Sequence, residues 1–295
     1  MSWWLLALLV SFANCLSLDL NKKLNMDGLR GRAWMSVFAF SMLSPIVMFV
    51  PFPTEPMFYM VGLVAGILMS YIGTGILNLS RRFGGPLTSL TRPIQILGSF
   101  LIWAMIEPAE TIAILSHPVG LTGILLSFGF AAWGQWSMTK GNLALRQSIK
   151  TLLILGALAS LMSPLTKLGM TYTFEFMHAY VWSWMMHLVS FNVCFLRHFL
   201  RKDREEWVNR DFLKGGFILG ILKVLIGPMI ITAYHLSPNP AFATLIFMLS
   251  TVWLMIFYKY KKAEAHVNLK TAALMILSAV IIIVSSNAYQ FFDGN

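Results

Sequence analysis

The chain has 295 residues, 57% of them hydrophobic and 12% charged, and its mean hydropathy is +0.71. Soluble domains carry about 25% charged residues, so the composition excludes a soluble globular protein. The net charge of +10 comes from loop-anchored Lys and Arg with no basic tail and no recognition motif, which excludes a nucleic-acid partner.

Ten hydrophobic segments follow in chain order: Ser2–Leu20, Ala33–Val50, Met57–Leu79, Leu87–Ile106, Pro118–Ser137, Ser148–Leu165, Glu175–Leu196, Phe212–Tyr234, Pro240–Tyr258 and Val267–Ser286. Each has roughly the 20 residues that a helix needs to cross about 30 Å of hydrocarbon. The first segment has no basic leader and no small-residue cleavage site, so it reads as a retained span. The two cysteines, Cys15 and Cys194, both fall inside segments and read as small packing residues. The expected fold is an all-α membrane protein of ten transmembrane helices.

Nineteen of the 22 Lys and Arg residues lie in every second gap, beginning with Lys22, Lys23, Arg30 and Arg32 in the first. The alternate gaps hold only Lys167, together with Glu55, Glu107, Glu110, Glu175 and Asp293. Short basic loops stay in the cytoplasm. The pattern therefore places both termini outside and the mixed string Arg201–Glu206 inside, as a solvated loop or short surface helix. A bacterial cytoplasmic (inner) membrane is the expected location.

An internal repeat runs through the chain at an offset of 154. Gly62, Gly66 and Gly73 align with Gly216, Gly220 and Gly227, Pro86 with Pro240, and Ala109-Glu110 with Ala263-Glu264. The expected organisation is two five-helix repeats, 1–143 and 144–295. Five is odd, so the second repeat is inverted relative to the first. Secondary transporters are commonly built this way, with substrate held near the midplane.

The stretch Ile76–Gln95, continuing to Glu107 and Glu110, resembles the third-to-fourth helix region of the drug/metabolite transporter superfamily, EamA type. Ala233–Leu245 through Glu264 resembles the same region, and Leu158–Lys167 resembles the opening helix of that family's repeat. The resemblance implies a ten-helix secondary transporter with both termini usually in the cytoplasm, opposite to what the charges here indicate.

Polar groups inside spans are expensive and mark candidate substrate contacts. On the fourth segment Thr88, Thr91, Arg92, Gln95, Ser99 and Trp103 form one stripe within about 100° of arc, facing either a cavity or neighbouring helices. Pro93 is expected to free a backbone carbonyl there. On the third segment Tyr71, Thr74 and Asn78 share a face separate from the three glycines, which are expected to allow close helix packing. Asn14 on the first segment, Lys223 in the middle of the eighth, and Glu175, His178, Trp182, His187 and Asn192 on the seventh complete the set. Asp19 is a candidate gate or static ion-pair partner for Arg92. His187 reads as either an interior hydrogen-bonded histidine or a proton relay, and Trp182 as a packing aromatic or a stacking surface.

Glu175-x-x-His178 has di-iron spacing but lacks the second motif and the further glutamates that such a site needs, so no metal is expected. No nucleotide-binding motif occurs and Gly84-Gly85-Pro86 reads as a turn, so no cofactor or ATP-driven step is expected. The expected function is secondary transport of a small organic metabolite, leaning to an anionic or zwitterionic one, through a central cavity by alternating access. The alternatives are an exporter or flippase of amphipathic or lipid-linked compounds, favoured by the 19 adaptable methionines, and a non-transporting membrane enzyme or scaffold. The transporter reading makes the chain a non-enzyme, a monomer or homodimer, with a small-molecule substrate and membrane lipid as partners.

Overall fold

A computed structural model describes residues 2–83, 88–139, 143–173, 175–201, 206–260 and 269–292. The expected turn at 84–86, Lys140, residues 202–205 of the basic string, Lys261, Lys262, Ala263-Glu264 and Asp293 lie outside them. Every described element is helical: α1 Trp3–Leu24, α2 Gly28–Val47, α3 Pro56–Phe83, α4 Thr91–Ile106, α5 Pro108–Ser116, α6 Pro118–Thr139, α7 Leu143–Thr171, α8 His178–Phe199, α9 Arg210–Leu236, α10 Pro240–Phe247, α11 Leu249–Tyr260 and α12 Leu269–Phe292. Helices dominate because a chain this apolar must satisfy its backbone polar groups within each segment.

Among the described residues, seven helical stretches are long and apolar enough to cross a membrane, or eight if the bent pair α4–α5 counts as one. Two further expected spans, α2 and α6, are helical but fall outside that number; Arg30 and Arg32 open α2. Large apolar side chains face outward on many helices, including Phe12, Leu63, Leu125 and Val284. Exposed apolar surface on that scale suits hydrocarbon surroundings.

Several helix ends have legible causes. Asp27 caps α2, its carboxylate accepting from the Leu29 and Arg30 amides at 3.2 and 3.1 Å. Asn25 just before it has φ 46°, a left-handed conformation that asparagine tolerates. Asn239 caps α10 by accepting from the Ala241 amide at 3.0 Å, with Pro240 in the first turn, where a missing N–H costs nothing. At Glu107 the chain turns by 112° from α4 into α5, which makes a short helix of what reads in sequence as a charged loop. Glu175 lies ahead of α8 rather than on it.

The helices sort into two compact units. One contains Leu16–Thr88 with Leu165–His235, and so α2, α3, α8 and α9; the other contains Met1–Cys15, Ser89–Pro164 and Leu236–Asn295, and so α4, α5, α6, α10, α11 and α12. The chain passes from one unit to the other within α1, and again within α7. In the second unit α12 packs along α6 and α10 along α4. The Ser278 hydroxyl donates to the Ser127 carbonyl at 2.7 Å, tying α12 to α6.

In the first unit α8 packs on both α2 and α3, and the six repeat glycines mark the close approaches. On α3, Gly62 faces Met185 and Trp182, Gly66 faces Val189 and the Met186 carbonyl, and Gly73 faces Arg32. On α9, Gly216 faces Trp34 and Met35, Gly220 faces Phe38 and the Met35 carbonyl, and Gly227 faces Ser183. A side chain at Gly66 or Gly220 would meet the facing backbone oxygen at 3.3 Å in both cases. Both glycine rows thus do what small residues at this spacing do, letting backbones approach.

Candidate functional site

The polar stripe on α4 is buried inside its unit, with Thr91, Gln95, Ser99 and Trp103 all shielded and Arg92 half-buried. Thr88, also buried, precedes the helix. Arg92 donates from Nη1 to Gln95 Oε1 at 3.0 Å, and Trp103 donates from Nε1 to Glu110 Oε2 on α5 at 3.1 Å. Ser89 donates to Gln135 on α6 at 3.0 Å.

Ser99 has a partner created by the sequence. Pro164 in α7 has no N–H to offer the carbonyl four residues back, that of Ser160. The Ser99 hydroxyl donates to that carbonyl at 2.9 Å, and the Ser163 hydroxyl donates to Ser99 Oγ at 2.8 Å. This part of the stripe is an interhelical clasp. Pro93 does not free a carbonyl in mid-helix as its sequence position suggests. The helix begins at Thr91, so Pro93 occupies the first turn, where its missing N–H has no intrahelical acceptor to lose.

A cavity of about 240 Å³ opens beside this helix, lined mainly by Leu90, Pro93, Ile94, Trp136, Ile149 and Leu152, with Gln135 the polar group in its wall. Asn14, half-buried on α1, belongs to the same unit.

The remaining candidates fall in the α2–α3–α8–α9 unit. Asn78 accepts from the Gly28 amide at 2.9 Å and so helps start α2. Thr74 is buried, donates to the Ser70 carbonyl at 2.7 Å and lies 4.0 Å from Cys194 Sγ. Tyr71 is 46% exposed, with the Arg197 guanidinium 4.2 Å from its ring centre. Trp182 is fully buried, edge-on to Phe58 with ring centres 5.1 Å apart and against Gly62 and Gly169. Its Nε1 is buried without a hydrogen-bond partner. Asp19 pairs with Lys23 of its own helix at 2.5 Å. His178 contacts the Thr173 carbonyl through Nδ1 and lies 3.8 Å from Glu175, while Asn192 is exposed and donates to the Leu188 carbonyl. His178 and His187 are nine residues apart on α8, about 13 Å along its axis.

Around His187 the structure assembles a group that only partly shows in the sequence. Arg32, read there as a loop anchor, is the fifth residue of α2 and only 5% exposed. Its Nε donates to Ser190 Oγ at 3.1 Å, and Ser36 Oγ lies 3.4 Å from the same hydroxyl. Gly73 makes room for the arginine, since a side chain there would meet its Cδ and Nε at 2.8 and 2.9 Å. Arg32 Nη2 and His187 Nδ1 are both buried without a hydrogen-bond partner. Lys223, half-buried on α9, belongs to the same unit. The available sign was the small-residue face continuing from Arg32 through Ser36, Ala39 and Leu43, all of them buried.

Among the described residues no three His, Cys, Asp or Glu side chains come together as a metal site. No protein-family model and no curated protein matches the sequence. Solved structures do match in shape: one crystal structure superposes with a TM-score of 0.67 over 97% of this chain and 97% of its own, at 13% identity. That likeness extends to the fold of the whole chain.

Proposed function

We propose that this chain is a secondary transporter of the ten-helix drug/metabolite type, carrying a small organic metabolite across a membrane by alternating access. In this reading the helices form two inverted five-helix repeats. The observation that carries it is the crossed pairing of the glycine rows. The first repeat's glycines on α3 face α8 at Gly62 and Gly66 and α2 at Gly73. Their counterparts on α9 face α2 at Gly216 and Gly220 and α8 at Gly227. The facing residues Arg32 and Ser183, Met35 and Met186, and Phe38 and Val189 each differ by 151 positions. Exchanging α2 with α8 and α3 with α9 therefore returns the same set of contacts, as a twofold relation between inverted copies requires. The make-up of the units supports it too, since each takes corresponding segments from both halves of the chain.

The substrate leans anionic or zwitterionic, because Arg92, Lys223 and the imidazoles outweigh the carboxylates inside the helices. The basic gaps favour an inner-membrane protein with both termini outside the cytoplasm. The apolar cavity of about 240 Å³ beside α4 supports a second reading, export of amphipathic compounds.

The test is flux in reconstituted vesicles, with labelled organic anions, zwitterions and amphipaths on one side. Wild-type protein is expected to move at least one class, and Arg92→Ala and Lys223→Ala to cut that flux at least tenfold while eluting as folded protein. Failure to move any class, or full flux in both variants, would overturn the reading and favour an enzyme or scaffold.

A further inference from the structure

Arg32 is buried, and among the described residues no carboxylate pairs with its guanidinium. Helices α2, α3 and α8 contain no Asp or Glu at all. The one carboxylate of α9 is Asp211, exposed in its first turn. The other described acids of the unit stand at its edges. Asp19 is held by Lys23, and Asp27 caps α2 and lies 3.7 Å from Arg30. Glu55 precedes α3, Glu175 precedes α8, and Glu206 follows α8, all three exposed.

A guanidinium taken out of water without a counter-ion costs several kcal/mol, so chains that keep one buried normally supply a partner. Here the partner from within the chain is a hydroxyl. Ser190 takes Nε and so fixes the plane of the guanidinium, while Nη2 is buried with its donors unused. Guanidinium groups recognise planar or tetrahedral oxyanions through paired N–H donors. His187 stands one turn from Ser190 on the same helix, with its own unused buried nitrogen. Gly73 belongs to the arrangement as well, since only a residue without a side chain lets the arginine lie against α3.

We propose that Arg32 and His187, with the hydroxyls of Ser190 and Ser36, form a buried binding site for a small oxyanion, a carboxylate or a phosphate group, within the α2–α3–α8–α9 unit. Arg32 contributes the fork, Ser190 orients it, and His187 adds its unused ring nitrogen. The proposal rests on the transporter reading only for the anion's role, which is cargo. The site itself stands on the residues.

The experiment uses the full chain in neutral detergent and follows thermal unfolding against inorganic phosphate, succinate and glucose at constant ionic strength. A parallel arm places the protein in phosphatidylcholine nanodiscs with and without phosphatidylglycerol. Phosphate or succinate is expected to raise the midpoint saturably, and glucose to have no effect. A response confined to phosphatidylglycerol identifies the oxyanion as a lipid headgroup and supports the same site. In Arg32→Gln the half-saturating concentration should rise at least tenfold, and Lys150→Gln, an exposed cation on α7, should respond as wild type does. Should Arg32→Gln fail to fold, Arg32→Lys replaces it, keeping the charge and losing the fork, with the same tenfold weakening expected. No saturable response in any arm, or an unchanged response in a folded Arg32 variant, overturns the proposal. Because flux is read separately, anion binding without transport removes the transporter reading and keeps the site. Transport without anion binding does the reverse.

Discussion

Ser99 and Asn78 show how differently two polar residues of similar appearance can be employed. Both read in sequence as candidates to touch a substrate, and both have backbone partners. Ser99 serves the carbonyl that Pro164 leaves without its helical donor, and Asn78 serves the first amide of α2. Interhelical hydrogen bonds of this kind average about 0.6 kcal/mol in membrane proteins, with values up to about 2. Ser99→Ala should therefore lower stability by roughly 1 kcal/mol in an unfolding titration and leave flux near wild type. A tenfold loss of flux with unchanged stability would return Ser99 to the substrate path. The serine was visible in the sequence as part of a stripe, but its partner was not. Nothing local connects position 99 to a proline 65 residues later. Arg32 illustrates the opposite failure. Its neighbours Arg30 and Lys23 belong to a basic loop, and a count of charges by gap assigns it there as well. Its burial depends on Gly73, forty-one residues away on another helix.

Among the elements, seven or eight of the described helical stretches are long and apolar enough to cross a membrane. The all-helical character was legible because a chain this apolar must satisfy its backbone within each segment. Helix ends were less so. The 112° turn at Glu107 and the break at Met248 that parts α10 from α11 come from packing and backbone geometry, which hydropathy does not record. The glycines were legible as a packing device but not in their targets. Gly216 is the most demanding of the six, because a side chain there would stand 2.6 Å from Trp34 Cβ and 2.9 Å from the Trp34 backbone carbon. Neither atom is the end of a flexible chain, so α9 and α2 would have to separate. Gly216→Ala should cost about 1–3 kcal/mol, the usual range for overpacking. Gly129 on α6 has no neighbour within 4 Å of the same position, so Gly129→Ala should be neutral or gain up to about 1 kcal/mol from helix propensity. Unfolding midpoints of the two variants, measured side by side, check the contrast. Equal effects would mean that the glycine rows do not set the spacing of α9 and α2.

For the molecule as a whole, alternation of basic and bare gaps remains the strongest statement in the sequence about orientation. Reporter fusions at position 295 are expected to be active outside the cytoplasm and silent within it. The reverse pattern would mean that the charges do not orient this chain. The interleaving of the two units has a further consequence, one of timing. Helix α2 is complete by Val47, but α8, the helix it packs along, ends at Phe199. At about 5–20 residues per second, synthesis of the intervening chain takes on the order of ten seconds or more. During that interval Arg32 is in or beside the membrane before Ser190 has been made. The early helices must wait without their packing partners, and neither unit can close until most of the chain has been made.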